Sequence, residues 1–350
     1  MVKQPLRKSL SIEDILGAST ERKEALALIR ADWNTHQTFL SFPKEEQERI
    51  LSFIQGNRGL PILYDSFFKK IMDPVLHPER LERFLSAILN QPIHIRAVLP
   101  REGTKLTDSS SLVIMDILVE LSDGSVINVE MQKIGYAFPG ARSSCYVSDL
   151  IMRQYNRVKS EKKSHFSFKD LKPVYLIVLM EDSSKEFKLV KPHYIHREYT
   201  CFDSGAKVQS LGNIVYISLD TFHSVVQNID TELDAWLTFL SSDQPSDIIR
   251  LVSAYPEFYQ CYQDIIDFRR NPKELIYMFS EALTIMDRNT VKYMCEEQKK
   301  EIAALTESLA ERDSVIAERD SALAEKDSAL AEKDSVIATL QAELEELKKR

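Results

Sequence analysis

The sequence predicts a mixed α/β protein: a central mixed sheet flanked by helices, then an added helical region and a coiled-coil-like C-terminal helix. Three observations carry this reading. Two β-rich segments, "SLVIMDILVEL" and "SVINVEMQ", meet at the turn residues Ser122-Asp123-Gly124. Two further apolar runs, "PVYLIVLM" and "NIVYISL", lie between helical patterns. A seven-residue repeat fills the end of the chain. Composition suits a globular body, with 44% apolar and 28% charged residues, and only 9 Gly in 350 residues exclude collagen-like and Gly-linker classes.

The elements follow in order. Residues 1–57 are expected to be a polar helical extension, with Ser11 before Glu13 and Asp14 as a start and Gly56 as a stop. Residues 65–90 carry a second helical region, with Phe67, Phe68 and Ile71, then Leu81, Phe84, Leu85, Ile88 and Leu89 at helical spacing. Pro74 and Pro78 separate its two parts. The hairpin comes next, then a helix over 141–160, then the strands beginning at Pro173 and Asn213. Residues 230–300 read as all-helical, with a break at Asn271-Pro272.

In the tail, "AERDSVI", "AERDSAL", "AEKDSAL" and "AEKDSVI" follow one another, so Leu309, Ile316, Leu323, Leu330, Ile337 and Leu344 recur at every seventh residue. The companion core position is Asp313, Asp320, Asp327 and Asp334, or a basic residue in the other register. A column of Asp in a dimer seam is unfavourable, so residues 301–350 are expected to form a weak homo-oligomer or to need a helical partner. Four segments result: 1–57, 58–225, 226–300 and 301–350.

Charge and cysteine content narrow the classes. The net charge is −8, which by itself argues against nucleic acid, but residues 301–350 hold −6 of it. The first 300 residues are nearly neutral, and local patches decide phosphate binding. The longest apolar run, Val174 to Met180, is seven residues, whereas a membrane helix needs roughly 20. No secretory leader is evident, and Cys145, Cys201, Cys261 and Cys295 form no CxxC pair. The expectation is a cytoplasmic protein with reduced thiols.

Chemistry concentrates in the hairpin. Along "SVINVEMQ", Ile127, Val129 and Met131 share one strand face, and Asn128, Glu130 and Gln132 the other. The polar set is expected to point outward. If Ser122-Asp123-Gly124 is a three-residue loop with Gly124 left-handed, Leu121 opposes Ser125 and Asp116 opposes Glu130. A two-residue loop would instead place Asp116 with Met131 on the apolar face, where an unpaired carboxylate costs several kcal/mol. The longer loop is therefore favoured. Two carboxylates side by side repel, and a divalent cation relieves that repulsion. Hard oxygen ligands in this number suit Mg²⁺, with Mn²⁺ as a second candidate, and such an ion polarises a phosphodiester and activates water.

These residues resemble the PD-(D/E)XK nuclease superfamily, and more narrowly its recombination-promoting nuclease and transposase branch. "YDSFFKKIM" matches the branch's opening helix with Asp65 and Lys69; "LERFLSAILNQPI" matches its second helix. "INVEMQ", whose Glu130 is separated from Asp116 by 13 residues, is nearly the branch's central string, and "ARSSCYVSDLIMRQY" supplies Arg142 and Tyr146. The resemblance spans about residues 60–225, and more loosely reaches 300; it is most specific over 116–146. It implies a restriction-endonuclease-like core, Asp116 and Glu130 as metal ligands, and Gln132 in the place of the superfamily's catalytic lysine. Gln lacks that lysine's positive charge but can orient water by hydrogen bonding. The Pro-Asp dipeptide is absent, since Met115 precedes Asp116.

Downstream, residues 133–172 contain nine basic and three acidic side chains. Arg142, Tyr146 and Arg153 can share a helix face, and with Arg157 they are the expected DNA phosphate contacts. No base-reading motif is present. His193, His196 and Cys201 are a weak zinc pattern without a fourth ligand, and Tyr255, Tyr259 and Tyr262 read as core rather than as a base-stacking surface. The expected activity is metal-dependent hydrolysis of DNA phosphodiesters by an endonuclease, with roles in recombination, mobile elements or phage defence implied by resemblance alone. The alternative is a catalytically degenerate nuclease fold that binds DNA or acts as a scaffold, oligomerised by its tail.

Overall fold

A computed structural model describes residues 10–60, 62–63, 65–100, 116–134 and 140–349. The chain divides into two units, residues 1–289 and 290–350. The first opens with four helices: α1 (Ile12–Leu16), α2 (Arg22–Arg30), α3 (Trp33–Ser41) and α4 (Lys44–Gln55). Ser11 and Asp14 form a reciprocal capping box on α1, as their spacing suggests. Gly56 ends α4 at φ 81°, a conformation that disfavours side chains. Helices α5 (Asp65–Ile71) and α6 (Pro78–Leu89) follow.

The sheet has six strands: β1 (Ile95–Val98), β2 (Ile117–Leu121), β3 (Val126–Ile134), β4 (Val174–Asp182), β5 (Ile195–Arg197) and β6 (Gly212–Ser218). Their spatial order is β1-β2-β3-β4-β6-β5. The β3–β4 and β4–β6 pairs are parallel and the others antiparallel. Between β3 and β4 runs the long helix α7 (Gly140–Lys162). The short α8 (Lys185–Lys188) follows β4, and α9 (Leu219–Val225), α10 (Glu232–Ser241), α11 (Pro245–Ala254), α12 (Phe258–Arg270) and α13 (Pro272–Lys349) complete the chain.

The hairpin register is the one argued from the turn. Leu118 pairs with Asn128 and Val119 with Ile127, Leu121 N donates to Ser125 O, and Gly124 has φ 88°. β2 begins one residue after Asp116, and the upstream part of "SLVIMDILVEL" through residue 115 lies outside the described residues.

Alternation divides the sheet into two faces. Ile117, Val119, Ile127, Val129, Met131, Ile177, Leu179, Val215 and Ile217 face a large helical core. Leu118, Val126, Leu176, Val178, Met180, Ile214 and Tyr216 face Tyr146 and Leu150 of α7. Helices α1–α4 belong to the large core. The buried Arg269 of α12 donates to the carbonyls of Leu16, Ala18 and Ile54, which satisfies acceptors at the ends of α1 and α4. Of the tyrosine series, Tyr262 is buried and Tyr255 packs on the core, whereas Tyr259 is exposed and departs from the core expectation.

Candidate active site

Asp116 and Glu130 meet on the α7 face, interlocked through backbone donors. Glu130 Oε1 accepts from Asp116 N at 3.2 Å, and Asp116 Oδ2 accepts from Met131 N at 2.9 Å. Asn128, two residues before Glu130 on the same face, donates Nδ2 to Glu130 Oε1 at 2.7 Å. From α5, Lys69 Nζ lies 3.1 Å from Asp116 Oδ1. The four-residue step from Asp65 to Lys69 is one helical turn, and α5 carries both.

The expectation that the polar face points to solvent needs correction. Glu130 is 2% exposed and Asn128 is fully buried, because α7 lies over this face. Two contacts fix that helix. A Cβ on Gly212 would come within 2.5 Å of Val147 Cγ1, so a residue without a side chain lets α7 approach β6 closely. Gln154 is buried and bridges two distant backbones: its Nε2 donates to Gly124 O at 3.1 Å, and its Oε1 accepts from Lys172 N at 2.8 Å. Tyr216 of β6 adds a hydroxyl bond to Ser143 at 2.7 Å.

Burial dominates the electrostatics. It pushes the Glu130 carboxyl well above its ordinary range, and the neighbouring Asp116 charge pushes the same way; the Asn128 bond, the Asp116 N–H and Arg142 oppose both. The Tyr146 hydroxyl is pushed up to about 12, first by burial and then by the Glu130 charge. Arg142 sits beside it, donating Nη2 to the Tyr146 hydroxyl at 3.2 Å with its guanidinium 5.5 Å from the ring centre. Gln132 follows Glu130 on the same strand face and is half-buried.

Lys69, Asp116, Glu130, Arg142 and Tyr146 thus converge. Arg153 and Arg157 lie further along α7 with internal partners. Arg153 binds Asp149 at 2.7 Å and the Pro100 carbonyl at 2.7 Å. Arg157 pairs with the buried Glu120 of β2, which Arg96 also approaches at 3.5 Å. The phosphate contacts expected of these two arginines compete with those partners. Asn128, Ser143, Gln154 and Gly212 were not singled out for a role by sequence; for Asn128 the signal was present, since i and i+2 on one strand share a face.

Among the described residues, no group of three or more His, Cys, Asp or Glu side chains gathers in metal-binding fashion. The residues nonetheless fit a hard cation. Two carboxylates are held in one frame, and Asn128 Oδ1 beside them is buried without a hydrogen-bond partner. Oxygen donors in this number suit an ion that keeps several waters.

A paired-carboxylate centre on a mixed sheet, with helices on both faces, defines a restriction-endonuclease-like α/β fold. The family model of the PD-(D/E)XK nuclease family transposases matches residues 63–294, and the chain belongs to that family. The match takes in the sheet, the carboxylate pair and the helices after the sheet, and leaves α1–α4 and the repeat tail outside. No curated protein and no solved structure matches the chain. Among the described residues no helix is long and apolar enough to cross a membrane.

Proposed function

We propose that the protein is a metal-dependent DNA endonuclease. The observation that carries this reading is the interlocked Asp116–Glu130 pair with a cation, Lys69, already at Asp116. Asp116 and Glu130 would hold Mg²⁺ or Mn²⁺. When bound, such an ion supplies Lewis acidity to the scissile phosphate and makes water a better nucleophile. Lys69 supplies the positive charge that Gln132 lacks, and it reaches the site from α5 instead of from β3. Gln132 orients the attacking water through its amide. Arg142, beside the Tyr146 ring, meets a phosphate oxygen of the substrate. Asp65 opens α5, the helix that carries Lys69. Recombination, mobile-element transfer or phage defence would be the setting for such an activity.

A plasmid-nicking assay tests this reading. Wild type is expected to nick with Mg²⁺ or Mn²⁺ and not with EDTA. Asp116→Ala should abolish nicking, and Lys69→Ala should lower its rate by roughly 10²–10³-fold, the scale of a lost electrostatic contact to developing charge. A second reading has its own observation: Gln132 stands where the superfamily carries lysine. In that reading the fold binds DNA or acts as a scaffold, and wild type, Asp116→Ala and Lys69→Ala would be equally inert while still binding DNA.

A further inference from the structure

Beyond the carboxylate pair, α7 ends in a group of aromatic rings that belongs to neither hydrophobic core. Tyr155 and Phe168 lie 17° from parallel with ring centres 6.1 Å apart. Phe166 stands edge-on to both, 5.4 Å from Tyr155 and 5.5 Å from Phe168. Core rings are covered, but Phe168 is 74% exposed. The loop that presents these rings is held in shape. Ser167 and Asp170 cap each other across a short 3₁₀ turn, and Lys162 Nζ binds Asp170 at 2.6 Å. Lys162 thereby neutralises Asp170, and Glu161 is the other acid nearby. The remaining charge is positive. Lys159 lies over the Tyr155 ring at 5.0 Å and donates to its hydroxyl at 2.8 Å. Lys163, Lys169 and Lys172 are exposed on the same short stretch of chain as Phe166 and Phe168.

An apolar patch built only to close a turn would bury its largest face and would not need surrounding lysines. Open rings among cations match a ligand that has flat π-faces and a negative backbone. Duplex DNA hides its base faces, whereas unpaired bases present them. We propose that Tyr155, Phe166 and Phe168 form a stacking platform for unpaired nucleobases, with Lys159, Lys163, Lys169 and Lys172 as its cations. This rests on the DNA-cleaving reading and narrows its substrate to DNA with a single-stranded segment. Tyr155 lies 13 residues beyond Arg142 on α7, about 20 Å along the helix axis at 1.5 Å per residue, so the rings engage a part of the DNA away from the phosphate at the carboxylate pair.

The test is fluorescence anisotropy of labelled oligothymidylate, of a blunt duplex, and of the same duplex with a single-stranded overhang, all in EDTA to prevent cleavage. Wild type should bind the overhang substrate more tightly than the blunt duplex. Phe168→Ala should weaken oligothymidylate and overhang binding roughly tenfold, within the range measured for lost base stacking, and blunt-duplex binding by less than twofold. Phe168→Tyr should restore the loss. In a Phe168→Trp variant, oligothymidylate should quench emission relative to wild type, whose Trp33 and Trp236 lie elsewhere. Equal weakening of single-stranded and duplex DNA, no change in either, or an unquenched Phe168→Trp variant overturns the platform while leaving the carboxylate site untouched. Absence of binding to every substrate by wild type overturns both this inference and the nuclease reading.

Discussion

Glu130 is nearly dry, accepts bonds from Asn128 and the Asp116 amide, and has a second carboxylate beside it. A charge in that position is costly without a cation, and this is why its carboxyl is held well above the ordinary range. The folded protein therefore binds this proton more tightly than the unfolded chain does. Stability falls as pH rises from the ordinary carboxyl range through the raised Glu130 value. Glu130→Gln keeps an oxygen acceptor and removes the charge. In EDTA the variant should melt above wild type at neutral pH. The difference should close as pH falls below the ordinary carboxyl range, where Glu130 is protonated in both folded and unfolded chains. The same variant should lose metal-dependent nicking. Calorimetry across pH, set beside the nicking assay, checks both halves, and a wild type that melts above the variant at pH 7 in EDTA would sink the argument.

At the scale of elements, α7 decides whether the carboxylate pair is covered, and its position depends on one absent side chain. Gly212→Ala would press a Cβ into Val147, and overpacking of this kind costs about 1–3 kcal/mol. Chemical denaturation should show that loss, and nicking should fall with it because Arg142 and Tyr146 ride on the same helix. Arg157→Ala tests a different tie. It removes the main partner of buried Glu120, so it should cost roughly 1–3 kcal/mol while changing the salt slope of DNA binding little. A slope that drops by about 0.9 would instead show a phosphate contact. These ties also explain what was legible in the chain. The hairpin register follows from a three-residue turn and from the cost of burying Asp116, both local. Strands β4 and β6 show as continuous apolar runs because helices cover both their faces. β1 and β5 are short edge strands of four and three residues, half-exposed and without apolar runs, so they leave little trace in sequence. The burial of Glu130 rests on contacts between α7 and residues as distant as Gly124, Lys172 and Gly212, and no local pattern reports them.

At the scale of the whole molecule, the repeat tail is the part whose structure leaves its apolar residues uncovered. Leu309, Ile316, Leu323, Leu330, Ile337 and Leu344 are all more than half exposed along the helical second unit. An exposed helix is ordinarily supported by opposite charges three or four residues apart. Between Glu311 and Asp334 every charged residue sits in a Glu-Lys/Arg-Asp triplet repeated each seven residues, and no opposite pair has either spacing. The segment therefore gains little from its own charges and has one large apolar residue per heptad to offer a partner. In a two-helix seam those residues alternate either with Asp313, Asp320, Asp327 and Asp334 or with Arg312, Arg319, Lys326 and Lys333. Each of these must be desolvated or splay outward. Self-association of residues 301–350 should accordingly be weak at pH 7. In the Asp register, removing the carboxylate charge removes the desolvation cost of the seam, so acid favours assembly. Association should be stronger at pH 4 than at pH 7. Sedimentation of the 301–350 peptide at pH 7 and pH 4 measures this directly. A tight dimer at pH 7 would refute it. Dimerisation indifferent to pH would show that the basic column, and not the Asp column, lies in the seam. Removing the tail takes away six of the eight net negative charges and none of the residues around Asp116. A 1–300 fragment should then nick DNA as fast per site as the full chain and bind it at least as tightly.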